Sequence, residues 1–299
     1  MSNALLLVPD LLLIGLGFLL CRYTLLNRTV WDAVERLTYH LLFPVLLFVS
    51  ITRSPLHPAQ TANLAVVGVG TLLCGVALAY ALKWWPGVDA QLHASGAQTA
   101  FRFNSFIALA VAERLGGAEA LTSMALLIAL GVPICNVGAV WPLARHGGHH
   151  YGRELLSNPL ILGTLAGLSF NVAQLYLPDV VGTTLHRMGL AAIPLGLMAV
   201  GAGLKLGGLK AAPRLAAALM TIRHGVLPLI AWGLASWLTL TPTQHAVVLV
   251  FAALPTASSA YVLAVRMGGN GPFVAGLVTL STLLGMVSVP LWLAVGAGP

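Results

Sequence analysis

The sequence predicts an all-α polytopic membrane protein, and three observations predict it. Of its 299 residues, 58% are hydrophobic and only 8% are charged, where a soluble domain carries roughly 25% charged residues. The mean hydropathy is +0.91. The apolar residues come in runs of about 20, the length that crosses a bilayer as a helix, with short polar connections between them. Ten spans are expected, at about 4–22, 37–54, 62–82, 91–114, 119–143, 155–175, 184–204, 212–238, 244–265 and 272–296, in one membrane domain over 1–299.

Each element carries its own signals. Residues 4–22 lack the short apolar core and cleavage site of a signal peptide and serve as the first span. Residues 27–36 form a polar, partly amphipathic piece ahead of span 2, which holds Pro44. Span 3 ends at Lys83-Trp84-Trp85-Pro86, where tryptophans suit a membrane interface. Span 4 is less apolar than its neighbours, and span 5 contains Pro133 and Asn136. The loop 145–154 carries His146, His149 and His150 and reads as a flexible connection rather than a metal site. Cys21, Cys74 and Cys135 lie in or beside apolar segments with no CxxC spacing, so they are packing residues. Small-residue stretches such as Gly201-Ala202-Gly203 and the pair Gly68 and Gly70 mean close helix packing. They are not nucleotide loops, since no GxxxxGK exists. No cofactor or metal is expected.

The net charge of +7 does not point to nucleic acid, because lysine and arginine sit mostly between spans. Ten of the 15 fall in one set of connections and three in the other; Arg102 and Arg223 lie within spans. The basic side faces the cytoplasm. This predicts a multi-pass protein of the cell (inner) membrane with both termini extracytoplasmic.

The two halves resemble each other. At an offset of 150, Pro9 meets Pro159, Leu12 meets Leu162, Gly17 meets Gly167, and Phe43-Pro44 meets Ile193-Pro194. At an offset of 152, AVAERLGG (110–117) meets VLAVRMGG (262–269). Repeat 1 covers about 4–143 and repeat 2 about 155–296, each with five spans. An odd number inverts the second copy in the membrane, a design common among transporters.

Within this frame one stretch stands out. In span 9, Pro255 interrupts an apolar run by removing a backbone donor and clashing with the preceding turn. Thr256, Ser258, Ser259 and Tyr261 follow at once. The repeat places Pro255-Thr256 on Phe103-Asn104 in span 4, where Asn104 and Ser105 interrupt an apolar run at matching depth. Backbone groups freed at such breaks find no partner in lipid, so breaks belong where protein or a cavity satisfies them. Two related breaks would turn half-helix N-termini, with their N–H groups and positive dipole ends, toward a bound anion. Arg102 beside the break is costly in a membrane unless it faces a cavity or a partner, and Asn136 adds a polar group in span 5.

Phe101-Arg102-Phe103-Asn104-Ser105, Pro133 with Asn136, Asn158-Pro159-Leu160, and Leu254-Pro255-Thr256-Ala257-Ser258 with Tyr261 together resemble the auxin efflux carrier family. The resemblance is to the bacterial branch that includes malate and malonate permeases, over nearly the whole chain. It implies ten helices in two inverted five-helix repeats, with broken helices 4 and 9 crossing. It also implies an elevator-like motion of a transport domain against a scaffold. Substrates in the family are small organic anions, dicarboxylates in bacteria and indole-3-acetate in plants. Where plant carriers have proline in both crossing helices, this sequence has Phe103 in the first, so the break there rests on Asn104 and Ser105. A homodimer is mildly favoured by the resemblance.

The expected function is therefore a secondary transporter of a small organic anion, with Arg102, Asn104, Ser105, Asn136, Pro255, Thr256, Ser258, Ser259 and Tyr261 as substrate-binding candidates. The alternatives are a sodium-coupled symporter of the bile-acid type, or a channel or receptor-like protein on the same fold. An enzyme is not expected: there is no nucleophile–base pair, HExxH or carboxylate dyad. The eight acidic residues lie near span ends or in predicted loops, which argues against proton coupling through a buried carboxylate. Arg223-His224 in span 8 reads as structural.

Overall fold

The computed structural model describes residues 8–52, 58–144, 159–204, 208–257 and 259–296. Every regular element among them is helical. In chain order these are α1 (Val8–Tyr23), α2 (Arg28–Leu37), α3 (Phe43–Thr52), α4 (Pro58–Ala81), α5 (Ala90–Gly96), α6 (Ser105–Ala144), α7 (Pro159–Val172), α8 (Asp179–Ala202), α9 (Pro213–Thr221), α10 (Leu227–Trp237), α11 (Pro242–Ala253), α12 (Ser259–Arg266) and α13 (Gly271–Gly296). Five stretches are long and apolar enough to cross a membrane: Thr61–Trp84, Ala90–Ala139, Asp179–Ala202, Pro213–Trp237 and Gly271–Gly296. Leu12–Tyr23, Leu162–Val172 and Pro242–Ala253 are shorter apolar helices.

Large apolar side chains cover the outside: Val66 and Leu73 on α4, Leu162 and Leu165 on α7, Val287 and Leu291 on α13 are exposed. Asn104, Thr256 and Arg223 are buried. Apolar groups outside and satisfied polar groups inside suit hydrocarbon surroundings, and the chain is a multi-pass membrane protein.

Three local features interrupt regular α-helix. Within α6 the backbone leaves helical geometry at Gly116 and Gly117, which divides it into two helices between the expected spans 4 and 5. Gly117 has φ 53°, a left-handed conformation that glycine adopts without a Cβ penalty. The polar α2 continues into α3 through a π turn at Thr38–Leu42, and α9 continues into α10 through another at Ile222–Val226. Each π turn shortly precedes a proline, Pro44 and Pro228, whose missing N–H and bulky ring oppose a regular α-turn. The carbonyl that Pro228 leaves unmatched, that of His224, accepts instead from Trp292 Nε1 at 2.9 Å.

The helices pack as two groups. In one, α1, α2 and α3 pack against α8, and α3 also packs against α7. In the other, α4, α6, α10, α11, α12 and α13 pack around one another, with α5 and α9 alongside. The groups meet where α6 touches α3, α7 and α8.

The first group is held by backbone-to-backbone approach. A methyl group added at Gly201 of α8 would land on the Ile14 carbonyl of α1, and one at Gly17 would land on the Met198 backbone. Small residues at such crossings let helices gain close van der Waals contact where no hydrophobic drive exists. Gly201→Ala should therefore destabilise the folded protein by about 1–3 kcal/mol or more, as overpacking does. Gly15→Ala, whose added methyl meets nothing within 4 Å, should leave the melting temperature in detergent unchanged.

Candidate functional site

Two breaks meet in the second group. The first runs from the 3-10 turn Ala97–Ala100 through Phe101 to Asn104, where α6 begins. The second runs from the end of α11 at Ala253 through Leu254 to Ala257, before α12. They are tied to each other directly. The Asn104 N–H donates to the Pro255 carbonyl at 2.8 Å, the Thr256 hydroxyl donates to the Thr99 carbonyl, and Gln98 Nε2 donates to the Ala260 carbonyl at 3.2 Å. The Thr256 N–H donates to Ser281 Oγ on α13 at 2.9 Å.

The first break holds without a proline. Asn104 acts as the N-cap of α6: its Oδ1 accepts from the N–H groups of Phe106 at 3.0 Å and Ile107 at 3.3 Å. This is the usual role of a short polar residue at a helix start. Phe103 fills its place by packing, its ring 4.6 Å from that of Phe251 and close over Gly131 of α6. At this break the N–H groups of Asn104, Phe106 and Ile107 thus find partners inside the protein, and what the break presents is side chains.

Those side chains line a cavity of about 170 Å3 between the breaks and α2, space for a ligand of several non-hydrogen atoms. Its walls include Arg102, Asn104, Ser105, Asn136 and Ser259 on one side, and Glu35 and Tyr39 on the other. Arg102 Nη2 donates to Asn136 Oδ1 at 3.1 Å and to Ser259 Oγ at 3.3 Å. Its Nη1 reaches Gln98 Oε1 at 3.5 Å. All three partners are neutral, so the guanidinium brings a positive charge to a wall whose acidic group is Glu35. Asn104 is 4% exposed, with Oδ1 committed to the cap and the amide nitrogen available to the cavity.

The structure therefore brings together Arg102, Asn104, Ser105, Asn136 and Ser259. Pro255 and Thr256 are buried inside the crossing, Pro255 seated on Gly285 of α13; they shape it rather than line the cavity. Tyr261 packs against Ala260, Ala264, Val274 and Val278, facing α13. Ser258 and the loop histidines lie outside the described residues.

Sequence reasoning missed Glu35 and Tyr39. They sit one helical turn apart, so both face the same way, and that spacing on an amphipathic piece was the available signal. Glu35 pairs with Arg28 at 3.0 Å, and Arg28 also pairs with Asp32 at 2.7 Å. Burial raises the Glu35 carboxyl above its ordinary range, while Arg28 pulls it part of the way back. One carboxyl thus reaches the cavity wall, from a connection ahead of span 2 rather than from within a span.

Comparison with known proteins finds membrane transporters. Residues 145–293 match the model of a family described as membrane transport protein. Over 289 residues, 94% of each chain, the sequence is 25% identical to an uncharacterized transporter from Methanothermobacter thermautotrophicus. Both similarities support a transporter of the auxin efflux carrier family. They likewise support a secondary transporter, whose substrate would be a small molecule.

Two substitutions test the cavity wall. Asn104→Asp keeps the capping oxygen, so the fold should hold. It also exchanges the amide donor for negative charge, so carboxylate binding followed by calorimetry should weaken at least tenfold. Asn104→Ala should in addition lower stability by about 0.5–2 kcal/mol through the lost cap. Glu35 interacts with Arg28 and Asp32 and shares the cavity wall with Tyr39 and Arg102, and a carboxyl whose pKa is raised is the more easily protonated as pH falls. Anion binding should therefore tighten on acidification from neutral pH, and Glu35→Gln should bind tightly across that range; an unaltered pH profile in the variant removes Glu35 from the site.

Proposed function

We propose that this carrier moves a small organic anion, such as a mono- or dicarboxylate, by an elevator-type alternating-access cycle. The observation that carries the reading is Arg102, held by three neutral partners at the wall of the cavity next to the unpaired Asn104 amide. A charge at a cavity wall whose hydrogen bonds go only to neutral groups is suited to a ligand that brings the opposite charge.

The proposed architecture is ten spans in two inverted repeats. Several features support it: α1 and α7 occupy matching places, two breaks meet at matching positions, and a left-handed glycine follows each, Gly117 and Gly268. In this reading α1–α3, α7 and α8 form the scaffold and the remaining helices carry the substrate. The cavity lies between the two, since Glu35 and Tyr39 come from one and the crossing from the other. The count of basic residues sets both termini outside the cytoplasm, in the cell membrane. The cavity, flanked by α2 with Arg28 and Arg36, then opens toward the cytoplasm, an inward-facing state.

The test is uptake into liposomes by the purified protein. The panel includes acetate, malonate, malate and indole-3-acetate, with imposed gradients of proton or sodium. At least one carboxylate should be transported. Arg102→Gln should lose roughly 1.5–3 kcal/mol of binding, the range of a hydrogen bond to a charged group, or about ten- to a hundredfold in affinity. Transport of no anion by the wild type, or equal affinity in the variant, rejects the reading.

A further inference from the structure

Arg223 lines no part of the cavity, yet it is the largest fully buried side chain among the described residues. A buried guanidinium demands compensation, because desolvating a charge is expensive unless the charge is paired and hydrogen-bonded. Among the described residues no carboxylate lies within ion-pair distance of it. Its partners are main-chain carbonyls: Nε donates to Leu254, Nη2 to Phe251 at 3.3 Å, and Nη1 to Phe101 at 3.5 Å.

These three oxygens have one origin. Phe101 closes the 3-10 turn that ends the first half of one broken segment. Phe251 and Leu254 belong to the end of α11, where the second break begins. The Phe251 carbonyl would normally bond to the N–H four residues on, but that residue is Pro255, which has none. Carbonyls at a helix C-terminus lack intrahelical partners and carry the negative end of the dipole. Two such ends converge here, out of reach of water, and a cation must sit between them.

Oxygen-lined positions of this kind are what hard metal cations take. Here the position is filled from within the chain. The π turn before Pro228 presents Arg223 to the crossing. Its neighbour His224 is held by Ser288 Oγ at 2.8 Å and Ser281 Oγ at 2.9 Å. Ser281 in turn accepts the Thr256 N–H, so one turn of helix secures both breaks. We propose that Arg223 is a built-in counter-ion that fills the place a coupling sodium ion would take at the crossing, so that the carrier binds and moves its anion without sodium. The clause on the anion rests on the function proposed above; the clause on the cation does not.

Arg223 acts here as a positioning residue. Its guanidinium sets the geometry of the crossing and so of Arg102 and Asn104 on the opposite side. Lysine would retain the charge as a point cation with weaker geometric match, glutamine would retain donors without charge, and alanine would open the carbonyl cage.

The experiment uses the full chain and two readouts. The first is thermal unfolding in detergent, in chloride salts of sodium, lithium, potassium, choline and dilute guanidinium at equal ionic strength. The wild type should show no shift specific to sodium or guanidinium. Arg223→Ala should melt lower and recover in a saturable manner with guanidinium or sodium, as expected when a ligand binds only the folded state. The second is uptake of the carboxylate panel with sodium replaced by choline. Wild-type uptake should be unchanged, Arg223→Lys should keep sodium-independent transport, and Arg223→Gln should lose it. If Arg223→Ala fails to fold, the lysine and glutamine variants decide the matter. Sodium-dependent wild-type uptake, a folded alanine variant that no cation restores, or a glutamine variant equal to the wild type overturns the proposal. A wild type that transports none of the panel rejects the anion reading, and the thermal measurements still decide the cation.

Discussion

Two helix breaks that meet inside a membrane protein must satisfy each other, and the rest of this structure follows from that requirement. Lipid supplies no hydrogen bonds, so the ends exchange them: Asn104 with Pro255, Thr256 with Thr99, Gln98 with Ala260. The exchange sorts charge by side. The C-terminal ends of the first halves converge on Arg223, and the N-terminal ends of the second halves lie beside Arg102 and Asn104. Two arginines thus serve one crossing in different ways. Arg223 is fully buried and bonded to main-chain carbonyls. Arg102 is bonded only to neutral side chains and looks into a cavity. The first is consumed by the fold and the second is left for a ligand.

Much of this was legible in the sequence, because proline and short polar residues inside an apolar run have few tolerated explanations. Pro255, Asn104 and the depth match between them located the crossing, and Arg102 with Asn136 and Ser259 proved to be neighbours. The all-helical, multi-pass class followed from composition and the length of the apolar runs. What the sequence concealed depends on tertiary contact. Glu35 sits in a polar piece that reads as a lead-in to span 2, and only its packing brings it to the cavity. Arg223 reads as structural, as it is, but its three partners are carbonyls, which no residue type reports. Tyr261 follows the break closely in sequence, yet its helix turns it onto α13. Adjacency along the chain could not distinguish it from Ser259.

The same logic explains why Phe103 stands where a proline would make the break self-evident. A break needs a conformation that excludes the helix and partners for the groups it frees. At Pro255 the residue itself supplies the exclusion. At Phe103 the environment does so: Asn104 caps the new helix, Arg223 draws off the Phe101 carbonyl, and the phenyl ring is anchored on Phe251 and Gly131. The first break is stabilised by its neighbours and the second by its own covalent structure. They are therefore unequal in robustness, and substitutions around Phe103 should disturb the crossing more than equivalent ones around Pro255.

The packing also bears on how a site between two groups of helices can work. Within the first group, α1 and α8 approach so closely that no side chain fits between Gly17 and Met198 or between Gly201 and Ile14. Such a contact has one register. Where the groups meet, the contact is of another kind: Phe43 of α3 stacks on Phe106 of α6 with ring centres 4.9 Å apart, and both rings lie against Gly196 of α8. A flat stack over a glycine offers little resistance to sliding, because neither interlocked ridges nor hydrogen bonds fix its position. Phe106 follows directly on Asn104 and Ser105, so displacement at this joint carries the cavity wall with it. Rigid glycine contacts within a group and smooth aromatic contact between groups are the mechanical division that the proposed alternating cycle requires.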